Sequence, residues 1–142
     1  MRRLKKVPIA EVEYTAFSLA RELMTWDEPI PEFGSRFPNI LESCLATPFQ
    51  TFNQKPFYKG LTGKAAILFY LMIKNHPFKN GNKRIAVMTL LLFLARNSKW
   101  LTASHNNLYT MAVGVAKSNP KKKDPVIADI QKFLEANIID FF

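Results

Sequence analysis

Residues 64–96 read KAAILFYLMIKNHPFKNGNKRIAVMTLLLFLAR, two apolar runs joined by a polar and basic loop. The first run, residues 65–73, would be apolar on every side of a helix, and a helix of that kind is buried at the centre of a bundle. Pro77 predicts its end near Asn75, because proline disfavours helical geometry in the residue before it. A second buried helix is predicted from about residue 82 to residue 96. This pair of helices predicts an all-α core.

Four more segments have the pattern of helices that pack around this pair. Apolar residues recur at three- and four-residue spacing in residues 8–24, which predicts an amphipathic helix. Pro38 suits the first turn of a second helix over residues 38–46. The other predicted helix starts are Thr62 as the cap of the first buried helix, Ser104 for the fifth helix, and the Asp124-Pro125 pair for the sixth.

Residues 48–60 contain four aromatic residues and two prolines between predicted helices. This composition predicts a short hairpin or an extended flap. For the whole chain we therefore predict an all-α single domain over residues 1–142, a six-helix bundle with one short flap hairpin.

The composition excludes several classes of protein. With 142 residues, of which 48% are hydrophobic and 22% charged, the chain can form its own core and is not a disordered segment. The longest apolar run is far shorter than the roughly 20 residues of a membrane-spanning helix, so we expect a cytoplasmic protein with no membrane partner. Cys44 is the only cysteine, which excludes an internal disulfide and a cysteine-rich zinc site.

Positive charge is concentrated in the middle of the chain. Residues 43–123 contain thirteen Lys and Arg and no Asp or Glu, whereas the remainder has seven basic and eleven acidic residues. A segment without carboxylates cannot by itself form a paired-carboxylate glycosidase site or a carboxylate-rich metal site. It can attract polyanions such as nucleotides, nucleic acid or an acidic protein.

The loop between the buried helices, residues 76–84, has the components of a phosphate site. Gly81 permits a backbone turn and the close approach of a ligand. The N–H groups of Asn82, Lys83 and Arg84 begin the second buried helix, and a helix N-terminus binds anions. Lys83 and Arg84 add two cations that would weaken the start of the helix unless an anion is bound there. We therefore predict phosphate binding at this point.

His76 begins the loop, within reach of the same pocket. Imidazole is the usual side chain for taking a proton near neutral pH. A phosphate site that faces a base is an arrangement for moving a phosphate-containing group onto an attacking hydroxyl. His105 lies outside this arrangement and is predicted to be a surface residue at the start of a helix.

The nonapeptide His-Pro-Phe-Lys-Asn-Gly-Asn-Lys-Arg closely resembles the signature of the Fic/Doc family, His-x-Phe-x-[Asp/Asn]-[Gly/Ala]-Asn-[Gly/Lys]-Arg. The resemblance extends over residues 35–115 and is to the Doc (death-on-curing) branch. Lys83 stands where Fic enzymes that transfer AMP carry Gly, and Val87 stands where they carry a second Arg. The resemblance implies a Fic/Doc bundle and the toxin of a toxin–antitoxin pair, which transfers the terminal phosphate of ATP to a threonine of elongation factor Tu.

The resemblance also implies roles for the residues of the loop. His76 would activate the target hydroxyl, and Gly81 would supply a backbone N–H. Asn82, Lys83 and Arg84 would hold the phosphates.

Two further roles follow from the resemblance. The Mg²⁺ ligand would be Asn80, at a position where the family often has Asp, and an amide oxygen lacks the charge that makes carboxylates the favoured ligands. Residues 49–57 resemble the flap that aligns a target segment as an added strand, with the target-binding residues Phe49, Gln50, Thr51 and Phe52.

The resemblance implies that a second protein restrains the activity. Many Fic proteins inhibit themselves with a helix of the pattern [Ser/Thr]-x-x-x-Glu-[Gly/Asn], and residues 18–23 match it only as far as Glu22. The Arg that such a Glu engages is Val87 here. We therefore expect an antitoxin chain as a partner.

Two alternatives stay open. In the first, the transferred group is AMP or another nucleotide fragment. In the second, the chain is a catalytically weak Fic-fold binding module whose basic middle binds an acidic partner or nucleic acid. Nucleic acid is not an expected partner if the chain is a phosphotransferase or a nucleotidyl transferase.

Overall fold

The computed structural model describes residues 3–23 and 30–141, and within them the chain forms six helices. The all-α prediction is therefore confirmed. The first helix, α1, consists of three contiguous parts, of which the middle one is π-helical. The predicted end of this helix at residue 24 lies outside the described residues. The bounds are Ile9–Glu11, Val12–Phe17 and Ser18–Leu23 for α1, Pro38–Ala46 for α2, Gly60–Lys74 for α3, Asn82–Arg96 for α4, His105–Lys117 for α5 and Lys123–Asn137 for α6.

Helices α3 and α4 form the centre of the molecule, as their sequences predict. Every residue from 63 to 73 is buried, and α4 buries all but four of its fifteen residues. The two helices pack on each other, and α1, α2, α5 and α6 pack around them. The polar loop that joins them begins at the exposed His76 and ends at the buried first turn of α4.

The predicted hairpin is present between α2 and α3. A 3₁₀ turn at Thr47–Phe49 leads into β1 (Thr51–Phe52), which pairs antiparallel with β2 (Lys55–Pro56). Asn53 and Gln54 join the strands and both have positive φ, as a two-residue type I′ turn requires. Two aromatic side chains of the hairpin are exposed to solvent, Phe52 at 70% and Phe57 at 63%.

A second small sheet was not predicted. Strand β3 (Lys99–Leu101) follows α4 and pairs antiparallel with β4 (Ile138–Asp140), which follows α6. The ring of Trp100 packs at 5.4 Å from that of Phe141. These strands are about forty residues apart in the chain, so no local turn signal indicates that they pair.

The predicted helix starts at Pro38, Asn82 and Ser104 are confirmed, and two others are wrong. The hydroxyl of Ser104 accepts the N–H of Asn107 at 3.1 Å, so Ser104 caps α5 as expected. Helix α3 begins before Thr62, whose hydroxyl instead donates to Glu135 of α6. Helix α6 begins at Lys123, so Asp124 and Pro125 lie inside its first turn. The N-cap of α6 is Lys122, which makes no side-chain capping bond. Asn119 caps the preceding 3₁₀ turn, Pro120–Lys122, by accepting the N–H of Lys121.

No helix in the described part of the chain is both long and apolar enough to cross a bilayer.

Candidate functional site: a basic pocket at the start of α4

The loop between α3 and α4 opens onto a pocket of about 310 Å³. Most of its lining comes from the nonapeptide, with one residue each from the end of α3 and the end of α5. The lining residues are Ile73, His76, Lys79, Asn80, Gly81, Asn82, Lys83, Arg84 and Ala116. The structure therefore brings His76 and the predicted phosphate-binding residues together around one cavity.

The side chain of Phe78 anchors the loop to the core. It is 1% exposed, and its ring lies 5.6 Å from the ring of Phe17 in α1 and 5.8 Å from that of Phe33. Burial of a phenylalanine stabilises its position by about 1.5–3 kcal/mol. The loop is polar at its surface and is nevertheless held by an aromatic cluster beneath it.

The side chain of Asn82 holds the loop in its turn. Its Oδ1 accepts the N–H of Phe78 at 2.9 Å, and its Nδ2 donates to the carbonyl of Phe78 at 2.8 Å. The same Nδ2 lies 3.5 Å from Nδ1 of His76. The amide is buried, so both of its bonds are formed away from solvent. Asn82 thus couples the first turn of α4 to the position of the imidazole.

Gly81 is the N-cap of α4, with a φ of +78° that side chains with a Cβ resist. A Cβ added to Gly81 would lie 2.6 Å from Cγ1 of Ile30, which is buried against it. Glycine is therefore required both by the backbone conformation and by a close approach. The residue that approaches it is Ile30, and sequence analysis gave no sign of this contact.

The start of α4 has the geometry of an anion-binding site. The hydrogen-bond ladder of the helix begins with the N–H of Ile85, which donates to the carbonyl of Gly81 at 2.9 Å. Gly81, the N-cap, has no side chain to cap this end, and the first turn contains no acidic residue. The backbone N–H groups of residues 82–84 precede the ladder, and the helix dipole adds partial positive charge there.

The lining of the pocket is basic. Lys79, Lys83 and Arg84 contribute three cations, and none of the described residues that line the cavity is Asp or Glu. Lys79 is an addition to the residues predicted from the sequence. His76 is exposed and has a left-handed φ of +50°, a conformation that histidine adopts more often than most residues.

Lys74 connects the end of α3 to the end of α5, where Ala116 lines the pocket. Its ammonium donates to the carbonyl of Ser118 at 2.7 Å and to that of Ala116 at 3.3 Å. Both carbonyls belong to the C-terminal end of α5, where a cation is favourable. No local sequence pattern indicates this role of Lys74, because its partners are more than forty residues away in the chain.

Asn80 is exposed and lines the pocket, as a metal ligand for a bound nucleotide would. Among residues 3–23 and 30–141 no group of three His, Cys, Asp or Glu is placed to hold a metal ion. A divalent cation at this position would therefore take most of its ligands from phosphate oxygens and water.

The residues of the predicted flap do not line this pocket. The ring of Phe49 packs 6.1 Å from that of Phe93, near the end of α4, and 5.7 Å from the ammonium of Lys64, near the start of α3. Lys64 and Lys74 are ten residues apart, about 15 Å along the helix. The base of the hairpin is therefore at the opposite end of α3 from the pocket, and target binding by the flap stays a prediction.

Together these features define an all-α domain in which a histidine and a basic helix N-terminus share one pocket. The sequence pattern of the Fic/DOC family matches residues 13–94, more than half of the chain, and the chain belongs to this family. Domains of the family are typically transferases, through AMPylation or related reactions, which supports a Fic-type enzyme domain. No curated protein and no solved structure matches the chain.

Proposed function

We propose that this chain is a Doc-like phosphotransferase, the toxin of a toxin–antitoxin pair. It transfers the terminal phosphate of ATP to a serine or threonine hydroxyl of a translation factor such as elongation factor Tu. The observation that carries the proposal is the pocket in which His76 and the basic start of α4 face one cavity, with Asn82 between them.

The chemistry follows from the groups that line the pocket. The hydroxyl oxygen of the target forms a bond to the terminal phosphorus, and its proton passes to the imidazole of His76. The bond between that phosphorus and the bridging oxygen breaks, and ADP leaves. Lys79, Lys83, Arg84 and the N–H groups at the start of α4 stabilise the negative charge of the transferred group. His76 then returns its proton to solvent.

Transfer of phosphate rather than AMP is supported by two positions in α4. Lys83 lines the pocket, where the resemblance places Gly in enzymes that transfer AMP. Val87 is fully buried in the core, so the position of their second Arg contributes nothing to this pocket. The cations therefore gather around a single phosphate-binding point at the first turn of the helix.

ATP and Mg²⁺ are the proposed cofactors. The three cations and the helix N-terminus suit the phosphates of ATP. Mg²⁺ fits as an ion carried by those phosphates with Asn80 as a protein ligand, because the described part of the lining offers an amide oxygen and no carboxylate. When bound, it neutralises charge on the phosphates. We expect Asn80→Asp to lower the Mg²⁺ concentration needed for half-maximal transfer, and an unchanged requirement would remove Asn80 from the metal site.

An antitoxin protein is the proposed partner that restrains the enzyme. Glu22 in α1 is exposed and does not line the pocket, which supports restraint by a separate chain rather than by α1. The cytoplasm is the proposed location, since ATP and translation factors are found there.

The test is a labelling experiment with cell lysate. The protein is incubated with lysate and with ATP labelled on the α or the γ phosphate, at several Mg²⁺ concentrations. We expect label from the γ phosphate alone to appear on a lysate protein. His76→Ala should abolish the label and the toxicity without changing the melting temperature. The matched control is His105→Ala, because His105 is an exposed histidine at the start of α5 and does not line the pocket.

The other two hypotheses give different results in the same experiment. Label from the α phosphate would show that the chain transfers a nucleotide fragment rather than the terminal phosphate. A lack of label at every metal concentration would favour the binding module. In that case His76→Ala should leave partner binding unchanged, whereas charge reversal at the exposed Lys55 and Lys59 should weaken it. Lys64 is left unchanged, because it is buried and donates to the carbonyl of Tyr58.

A further inference from the structure

A second cavity begins one residue away from His76. It has a volume of about 320 Å³ and is lined by Asn39, Ile40, Ser43 and Asn75. It shares no lining residue with the phosphate pocket. The first three residues belong to α2, and Asn75 is the C-cap of α3, directly before His76 in the chain.

Backbone hydrogen bonds fix α2 to the loop that carries the histidine. The N–H of Phe37, the N-cap of α2, donates to the carbonyl of Pro77 at 2.9 Å. The N–H of Leu41 donates in turn to the carbonyl of Phe37 at 3.1 Å. His76 lies between Asn75 and Pro77 with a φ of +50°, so the chain turns sharply at the histidine. The cavity and the imidazole therefore keep a defined relative position.

Among the described residues, the lining of this cavity carries no charged side chain, unlike that of the phosphate pocket, and more of its surface is apolar than polar. The side chains of Asn39, Ser43 and Asn75 are exposed and have no hydrogen-bond partner within residues 3–23 and 30–141. Amides and hydroxyls each offer both a donor and an acceptor, which matches the alternating N–H and C=O groups of a polypeptide main chain. Ile40 adds a half-buried apolar contact. Phosphate, by contrast, would be drawn to the three cations of the other pocket.

We propose that this cavity, the acceptor cavity, binds the main chain of the polypeptide that presents the reacting hydroxyl. The inference rests on the proposed function and names the substrate class: an uncharged, extended segment with a serine or threonine that reaches past Asn75 to His76. The hydroxyl oxygen bonds to the terminal phosphorus of ATP, its proton goes to the imidazole, and ADP leaves from the phosphate pocket. The two substrates thus meet at residue 76 from separate cavities.

The first test compares two acceptors of the phosphate. Transfer from γ-labelled ATP to lysate protein is measured against lysate concentration, and release of labelled phosphate to water is measured in parallel. In the double variant Asn39→Ala/Ser43→Ala we expect the rate of protein labelling at low lysate concentration to fall about tenfold or more, since two hydrogen bonds to the acceptor are lost. The apparent KM for the acceptor should rise, and hydrolysis should be unchanged.

A matched control and two contrary outcomes complete this test. Asn106 is the second residue of α5, as Asn39 is of α2, and both are exposed, so Asn106→Ala should behave like the wild type. Unchanged protein labelling in the double variant would overturn the inference. An equal loss of labelling and hydrolysis would also overturn it, because the cavity would then support the phosphate site rather than the acceptor.

The second test does not depend on catalysis, so it separates the inference from the proposed function. The NMR signals of the wild-type protein are followed with two probes, inorganic tripolyphosphate and a library of uncharged nine-residue peptides with a central threonine. We expect the peptides to shift the side-chain amide signals of Asn39 and Asn75, and tripolyphosphate to shift the backbone amides of residues 82–84. These shifts should occur even if the chain transfers no phosphate. No peptide-dependent shift at Asn39 and Asn75 would overturn the inference, whatever the labelling experiments show.

Discussion

Gly81→Ala should be strongly destabilising, although the family signature accepts alanine at this position. In the left-handed region an alanine costs about 1–2 kcal/mol relative to glycine. The new Cβ would also lie 2.6 Å from Cγ1 of Ile30, and overpacking in a buried site costs about 1–3 kcal/mol. The sum, about 2–5 kcal/mol, is a large part of the 5–15 kcal/mol that stabilises a typical domain.

The assay is urea unfolding followed by circular dichroism, with melting temperature as a second measurement. A loss of about 3 kcal/mol should lower the melting temperature by roughly 10 °C in a chain of this size. Weaker binding of tripolyphosphate should accompany it, because Gly81 sets the start of α4.

Two further variants separate the contributions of conformation and contact. In an Ile30→Ala background the Gly81→Ala substitution should cost about 1–3 kcal/mol less, since only the close contact has been removed. Gly81→Asn should lower the free energy of unfolding by less than Gly81→Ala does, because asparagine tolerates a left-handed backbone better than alanine. A Gly81→Ala protein within about 0.5 kcal/mol of the wild type would refute the reasoning. If Gly81→Ala costs the same free energy of unfolding in the wild type and in the Ile30→Ala background, the contribution assigned to the contact with Ile30 is refuted.

Three other predictions concern residues outside or beneath the pocket. Asn82→Ala should lower the free energy of unfolding by about 2–3 kcal/mol, because the N–H and carbonyl of Phe78 both lose their buried partner; urea titration measures this. Lys64→Met removes the donor to the carbonyl of Tyr58 at the end of the hairpin, so chymotrypsin should cut the hairpin faster, and an unchanged rate would contradict this anchoring. Burial raises the pKa of the Cys44 thiol from 9.0 to about 12, so iodoacetamide at pH 8 should label this residue only when the protein unfolds. Because the folded state retains a proton that the unfolded state loses, the stability contributed by Cys44 should be complete below pH 9 and decrease as the pH rises towards 12.

Much of the fold and the principal pocket could be predicted from local sequence. The apolar run of residues 65–73 indicated a buried helix, and all of these residues are buried. The loop 76–84 indicated a histidine and a helix N-terminus around one site, and both line the same pocket. Such features depend on periodicity, on a glycine turn and on the order of residues within one short segment. Helix starts were harder to predict, because Thr62 and Asp124 have good capping side chains but lie beyond the true start of their helices.

The sequence by itself determined two buried helices, the polar loop between them and the residues that this loop presents, because each of these is set by neighbours a few positions away. Only the tertiary structure decided which distant groups complete the site. Ile30 occupies the space beside Gly81, and Lys74 joins the end of α5 to the end of α3. The start of α2 is bonded to Pro77, which places a neutral cavity next to a basic one. Contacts of this kind form between residues far apart in the chain, and they arise only when the helices pack into one core.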